Sequence, residues 1–164
     1  MATFNNATFS NHDDYMTPKS AWENIKHIIP EDKVIWECFY GNGNSGRYLT
    51  EMGYDVIHED IDFFETNLGE ILVSNPPFSR KLIDRIIKRL LDLDKPFIMI
   101  MPVSKLSCKY FNLFKDKIQL IRPTRRIHFD KLLNGEIDKS KTSANFDCYY
   151  YCYKIGLEKD ITWL

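Results

Sequence analysis

Short apolar runs recur along this chain, each halted by a polar, glycine-rich or proline-rich loop, with stretches of helical periodicity between them. Residues 33–38, 54–58, 70–74, 96–101, 117–121 and 146–155 read as strands. Leu82, Ile83, Ile86, Ile87, Leu90 and Leu91 form an i, i+4 double stripe. It predicts an amphipathic helix over 80–93 with Arg85, Lys88 and Arg89 on its solvent side. Ala21, Trp22, Ile25, Ile28 and Ile29 predict a helix opened by a Thr17 cap, with Pro18 at its first position, and ended by Pro30. Residues 47–52 and 105–114 predict two more. Strands alternating with helices require an α/β fold: a mainly parallel sheet, helices on both faces, and ligands at the carboxyl ends of the strands.

With 164 residues, 44% of them hydrophobic, the chain suits one domain, 14–164, preceded by a flexible polar arm, 1–13. The formal charge of -1 conceals a division: residues 1–70 carry 13 acidic and 4 basic side chains, residues 71–131 carry 14 basic and 5 acidic. No apolar run approaches the roughly 20 residues a membrane helix needs, and the amino terminus lacks a secretory pattern. Cys38, Cys108, Cys148 and Cys152 form no C-x-x-C pair, which argues against zinc or a disulfide framework and for a reduced, cytoplasmic location. Cys148 and Cys152 fall on one face of the last expected strand as packed apolar groups.

Gly41-Asn42-Gly43-Asn44-Ser45-Gly46 matches G-x-G-x-x-G, with Glu59 and Asp60 about 20 residues on, as in a dinucleotide site. Glu37, Cys38, Phe39 and Tyr40 nevertheless separate the strand from the first glycine. That offset sets a carboxylate at the strand end, where it repels a pyrophosphate and attracts an amine. The P-loop lysine and hydroxyl are missing.

Asn75-Pro76-Pro77-Phe78 ends the 70–74 strand. The segment resembles the [DNS]-P-P-[YFW] motif of the amino-methyltransferases, and the resemblance implies an aryl NH2 as acceptor, a poor nucleophile because its lone pair is delocalised. Acceptors that favour a pyramidal nitrogen correct this, and Asn75 Oδ1 with the Pro76 carbonyl supplies two. The two prolines hold them in place before reaction, and Phe78 offers a flat face for a base.

Glu37-x-x-x-Gly41-x-Gly43 resembles the first cofactor motif of S-adenosylmethionine-dependent methyltransferases, and Asn75-Pro76-Pro77-Phe78 the [DNS]-P-P-[YFW] motif of the amino-methyltransferases. Preceded by Asp14-Tyr15-Met16-Thr17-Pro18, these motifs follow the gamma order of the N6-adenine DNA methyltransferases. The chain is most similar to small phage and viral members, down to Lys95-Pro96-Phe97 and Arg126-Ile127-x-Phe129. The resemblance implies a Rossmann-like class I methyltransferase fold with an antiparallel last strand. It implies S-adenosyl-L-methionine as cofactor, held by Tyr15, Thr17, Pro18, Glu37, Phe39, Gly41, Gly43, Asp60, Ile61, Asp62, Phe63 and Asn75. Glu59 competes with Asp60 for the ribose. It further implies direct in-line methylation of the adenine N6 amine in DNA, with Asn75, Pro76, Pro77 and Phe78 as the catalytic element.

The basic half suggests phosphate contacts from Arg80, Lys105, Arg125 and Arg126, which follow expected strands at the ligand-bearing edge. A polar segment, 131–144, suits a mobile loop over the substrate, and a partner subunit is a candidate source of target recognition. Three alternatives stand beside the DNA reading: an RNA adenine or guanine-amine methyltransferase, a protein glutamine methyltransferase, and a non-catalytic methyltransferase-like nucleic-acid-binding subunit.

Overall fold

The computed structural model describes residues 15–134, 136–137 and 147–164, and for Leu132, Leu133 and Ile137 the backbone alone. The expected arm, 1–13, lies outside the described residues, as do residues 135 and 138–144 of the expected substrate loop. β1 (Tyr15–Met16) leads into α1 (Lys19–Glu23), followed by β2 (Ile35–Trp36), α2 (Asn44–Glu51), β3 (Val56–Ile57), β4 (Ile71–Ser74), α3 (Arg80–Leu93) and β5 (Phe97–Pro102). Short 3-10 turns over Val103–Ser107, Lys109–Leu113 and Lys115–Lys117 then precede β6 (Ile118–Arg122), β7 (Asp130–Leu133), β8 (Glu136–Ile137), β9 (Cys148–Tyr153) and β10 (Ile161–Trp163).

Seven strands form one sheet in the order β10-β6-β9-β5-β4-β2-β3, parallel except for β9, which runs antiparallel to both β5 and β6. This is a Rossmann-like arrangement, a mainly parallel sheet with one antiparallel strand inside it. The chain steps from β2 to β3 in one direction and from β4 to β5 in the other. Right-handed crossovers therefore put α2 and α3 on opposite faces. β9 shows both faces covered: the Tyr150 hydroxyl donates to Ala21 O in α1, while the Tyr151 ring packs on Phe111, 5.2 Å away. Cys148 and Cys152 share the Tyr150 side and are buried free thiols. Between β2 and β4 the winding reverses, which opens a crevice at their carboxyl ends.

The antiparallel strand is not the last. β10 follows it and pairs in parallel with β6 at the sheet edge; its three residues are too short and too exposed to show a pattern. The first helix is also shorter than expected. Pro18 sits at the N-cap in an extended conformation, Thr17 makes no cap, and beyond Glu23 the chain continues through i→i+3 turns such as Ile28 N–H to Ile25 O, 2.8 Å. Cys108, extended at φ -60 and ψ 134, splits the expected 105–114 helix into 3-10 turns. Where a loop was expected, the described residues of 130–137 include two strands: β7 pairs antiparallel with β8, Leu133 opposite Glu136. β7 also pairs with β1, Tyr15 opposite Lys131, so it holds the strand that precedes α1.

Arg85 and Arg89 are not simply solvating. The Arg85 guanidinium lies 4.3 Å from the Phe64 ring centroid, and Arg89 Nη2 donates to Thr66 O at 2.9 Å. Both tie α3 to the β3–β4 connection. Among the described residues, no helix is long and apolar enough to cross a membrane.

Candidate active site

β2 ends at Trp36, and the next side chain, Glu37, is fully buried. Its Oε1 accepts hydrogen bonds from the Phe39 N–H, 3.3 Å, and from the Ser74 hydroxyl; its Oε2 has no partner. Burial pushes this carboxyl from its ordinary value of 4.5 up to about 8, and the Ser74 and Phe39 hydrogen bonds offset only part of that. The neighbouring Cys38 thiol is pushed up by burial and then by Glu37.

β4 is the strand beside β2, and Ser74 is its last residue. Asn75 follows, with Nδ2 donating to Tyr15 O at 3.4 Å and Oδ1 buried without a partner. Pro76 and Pro77 are buried behind it. Thr17 Oγ1, between β1 and α1, is a third buried polar atom without a partner. An unsatisfied buried acceptor costs on the order of 1–3 kcal/mol. All three lie on segments joined by the Glu37–Ser74 and Asn75–Tyr15 hydrogen bonds, where a ligand's donors could satisfy them.

Gly41 (φ 58) and Gly43 (φ 82) form the turn between Glu37 and α2. A Cβ on Gly41 would lie 2.9 Å from Met16 Sδ, and one on Gly43 2.8 Å from the Tyr40 hydroxyl oxygen, so a side chain at either would displace these ends in addition to straining a positive-φ backbone. Gly46, expected in the loop, belongs to the first turn of α2. There an added Cβ would collide with His58, so the missing side chain lets α2 close on the end of β3.

The structure therefore brings Tyr15 to Asn75, Met16 to Gly41, and Glu37 to Phe39 and Ser74, with Gly43 in the same turn as Gly41; Thr17 and Pro18 follow Met16 in the chain, Pro18 at the start of α1. The β3 group is divided. Asp60 is exposed and Ile61 half-buried just past β3, whereas Asp62 Oδ1 accepts the Phe64 N–H at 2.8 Å in a local turn. Phe63 is fully buried, 5.7 Å from Trp36 and 4.7 Å from Phe39, so its ring is core and not an open wall. Phe78 is 6% exposed and packed edge-to-face on Phe129, 6.2 Å away, rather than laid open for a base. Arg80, Lys105, Arg125 and Arg126 follow β4, β5 and β6 at the carboxyl edge. Arg125 is exposed, while Arg126 is paired to Asp147 at 2.7 Å.

Sequence reasoning passed over three features. Ser74 is a hydroxyl closing a buried apolar strand, and that misfit was its signal. Tyr40 and His58 stack at 6.4 Å beside the glycine loop, with His58 Nδ1 buried and without a partner. Arg122 lies over the Trp163 ring at 4.3 Å, a pairing visible only once β6 and β10 are known to be neighbours.

No protein-family model and no curated protein matches the chain. Among solved structures it is similar to TehB from Haemophilus influenzae at 13% identity and a TM-score of 0.49, over 84% of this chain and 62% of that one. It is also similar to a putative RNA methyltransferase from Pyrococcus horikoshii at 15% identity and a TM-score of 0.45, over 90% and 93%. The chain thus spans less than two thirds of TehB. The fold assignment stands on the strand order itself.

A carboxyl raised in the folded state keeps its proton while the unfolded chain releases one, so folding stability declines as pH climbs from the ordinary range towards about 8. Glu37→Gln is expected to raise the thermal midpoint at alkaline pH, with the gain fading towards about pH 5. A scanning calorimetry series checks this; a gain of equal size at every pH would contradict it.

Proposed function

We propose that this chain is an S-adenosylmethionine-dependent methyltransferase that methylates an exocyclic amine, adenine N6 in DNA being the preferred acceptor. One observation carries the reading: two buried oxygens without partners, Glu37 Oε2 and Asn75 Oδ1, stand at the carboxyl ends of the adjacent strands β2 and β4. The first suits the ammonium of the cofactor's methionine moiety, and the second suits an NH2 held for attack.

When bound, S-adenosylmethionine supplies a methyl group made electrophilic by its sulfonium. The chain's own residues do the rest. Glu37 balances the ammonium charge, Thr17 Oγ1 offers a hydroxyl to the same moiety, and the side-chain-free faces of Gly41 and Gly43 let the backbone approach. Asp60, exposed at the end of β3, is free to accept from ribose hydroxyls. Asn75 Oδ1 and the Pro76 carbonyl accept the two amine hydrogens, and the diproline backbone fixes their direction before the acceptor arrives. The methylated nitrogen is strongly acidic, so it needs no strong base to lose its proton.

A nucleic-acid acceptor is supported by the basic residues along the carboxyl edge. At the far end of that edge, Trp163 is 69% exposed with Arg122 over its ring. Four strand spacings, about 19 Å, separate β4 from β10, and an aromatic–guanidinium pair there suits an unpaired base of the same strand. The buried Phe78 ring favours one second reading: a glutamine amide requires no aromatic stack, so a protein acceptor remains the alternative.

The direct test is incubation with methyl-labelled cofactor and DNA, RNA or protein. Label in the N6 position of adenine in DNA is expected, and Asn75→Ala should lower the rate by about 10²–10³, more than it weakens cofactor binding. Label found only in RNA or protein would overturn the DNA assignment, and no label in any pool would overturn the enzyme. For nucleic-acid binding, Arg125→Ala is expected to flatten the dependence of log affinity on log salt by about one unit. Arg126→Ala should change it less, because Asp147 already neutralises that charge. Equal slopes for wild type and Arg125→Ala would remove Arg125 from the interface.

A further inference from the structure

Glu37 receives both of its hydrogen bonds on one oxygen. The Phe39 N–H and the Ser74 hydroxyl converge on Oε1, and Oε2 is left with nothing. With the Phe39 N–H on Oε1 and the Ser74 hydroxyl donating to the same oxygen, the neutral acid carries its proton on Oε2. Oε2 is also the oxygen left for a ligand's ammonium. Proton and ligand are consigned to the same atom.

We propose that Ser74 is a positioning residue that makes Oε2 an exchange site, where the ligand's ammonium displaces the resting proton of Glu37 and cofactor binding releases one proton to solvent. The balance is simple. The O–H bond on Oε2 breaks, the proton passes to buffer, and the carboxylate formed pairs with an ammonium that keeps all its hydrogens. No covalent bond to the ligand forms.

The surroundings favour this exchange. Glu37 is buried on every side, and the influences on its ionisation are that burial, Ser74 and the Phe39 N–H. On its own segment the titratable neighbours are the Cys38 thiol, which burial and Glu37 keep neutral, and Tyr40, whose ring stacks on His58. β3, whose Ile57 O accepts the Glu37 N–H, brings His58 next in the chain, and neither Tyr40 nor His58 is among the influences on the Glu37 carboxyl. The neighbouring strand β4 contributes Ser74 and Asn75, and the β1–α1 link contributes Thr17, none of which carries charge. Among the described residues no lysine, arginine or histidine offsets a carboxylate here, so the ligand's own cation must do it. Ser74 also directly precedes Asn75. The residue that orients the cofactor acid is thus rigidly joined to the residue that receives the acceptor amine, across the β2–β4 pairing.

This inference rests on the cofactor reading above, and its test separates the two. S-adenosylhomocysteine, which carries the same ammonium, is titrated into the intact chain by calorimetry in buffers of differing ionisation enthalpy. The range is about pH 6 to 7, where an α-amine is charged. Close to one proton released per ligand is expected, falling towards zero in alkaline buffer. Ser74→Ala should weaken binding about tenfold at neutral pH and move the fall in proton release to higher pH, since the carboxylate loses a donor. Ser74→Thr, which keeps the hydroxyl, should restore both. No binding by the wild-type chain at any pH would sink the cofactor reading itself. Binding without proton release, or a Ser74→Ala profile identical to wild type, would sink the exchange while leaving the cofactor reading intact. The proton count on the wild-type chain needs no variant and stands even if Ser74→Ala does not fold.

Discussion

A carboxyl group shut away from water at the point where a parallel sheet reverses its winding is the constraint on which the other features depend. Glu37 occupies that place because β2 ends one residue earlier and because β4, its neighbour, brings Ser74 beside it. Burying an acid without a cation is unfavourable, and no core requirement calls for one here. The Gly41–Gly43 turn follows it in the chain and the diproline corner follows its partner Ser74, each a local departure from regular backbone. Such departures gathered in one crevice are the signature of a site whose partner completes it.

Much of this arrangement was legible in the sequence. Hydrophobic periodicity placed α3 at Arg80–Leu93 and located β4 and β5 to within a residue or two, since both faces of these strands and one face of the helix are buried. Glu37, Gly41, Gly43 and Asn75 stood out because backbone conformation and charge restrict those positions strongly. What escaped notice depended on neighbours distant in sequence. β10 has three residues and exposed side chains, so only its pairing with β6 identifies it. β1 exists because Lys131 comes to lie opposite Tyr15, more than a hundred positions away. The aromatic residues were over-assigned to ligands: Phe63 and Phe78 resemble pocket walls in a motif but are used here as packing against Trp36, Phe39 and Phe129.

The charge division also acquires a physical meaning. The acidic half holds β2, β3 and the carboxylates Glu37, Glu59, Asp60 and Asp62, whereas the basic half supplies α3 and the segments after β4, β5 and β6. Not every cation there is available to a phosphate. Arg126 is spent on Asp147, Arg85 on Phe64, and Arg89 on the Thr66 carbonyl. Arg80, Lys105 and Arg125 remain at the carboxyl edge, joined by Arg122 beside Trp163. A strand of nucleic acid lying along this edge would pass from the Asn75 corner towards that indole.

A crystal structure of the chain with S-adenosylhomocysteine bound tests the central claim most directly. The account expects the ligand's amine within hydrogen-bonding distance of Glu37 Oε2 and its sulfur turned towards Asn75, with the glycine turn against the methionine moiety. A ligand seated elsewhere, or one whose amine ignores Glu37 while its carboxylate fills the crevice, would contradict it.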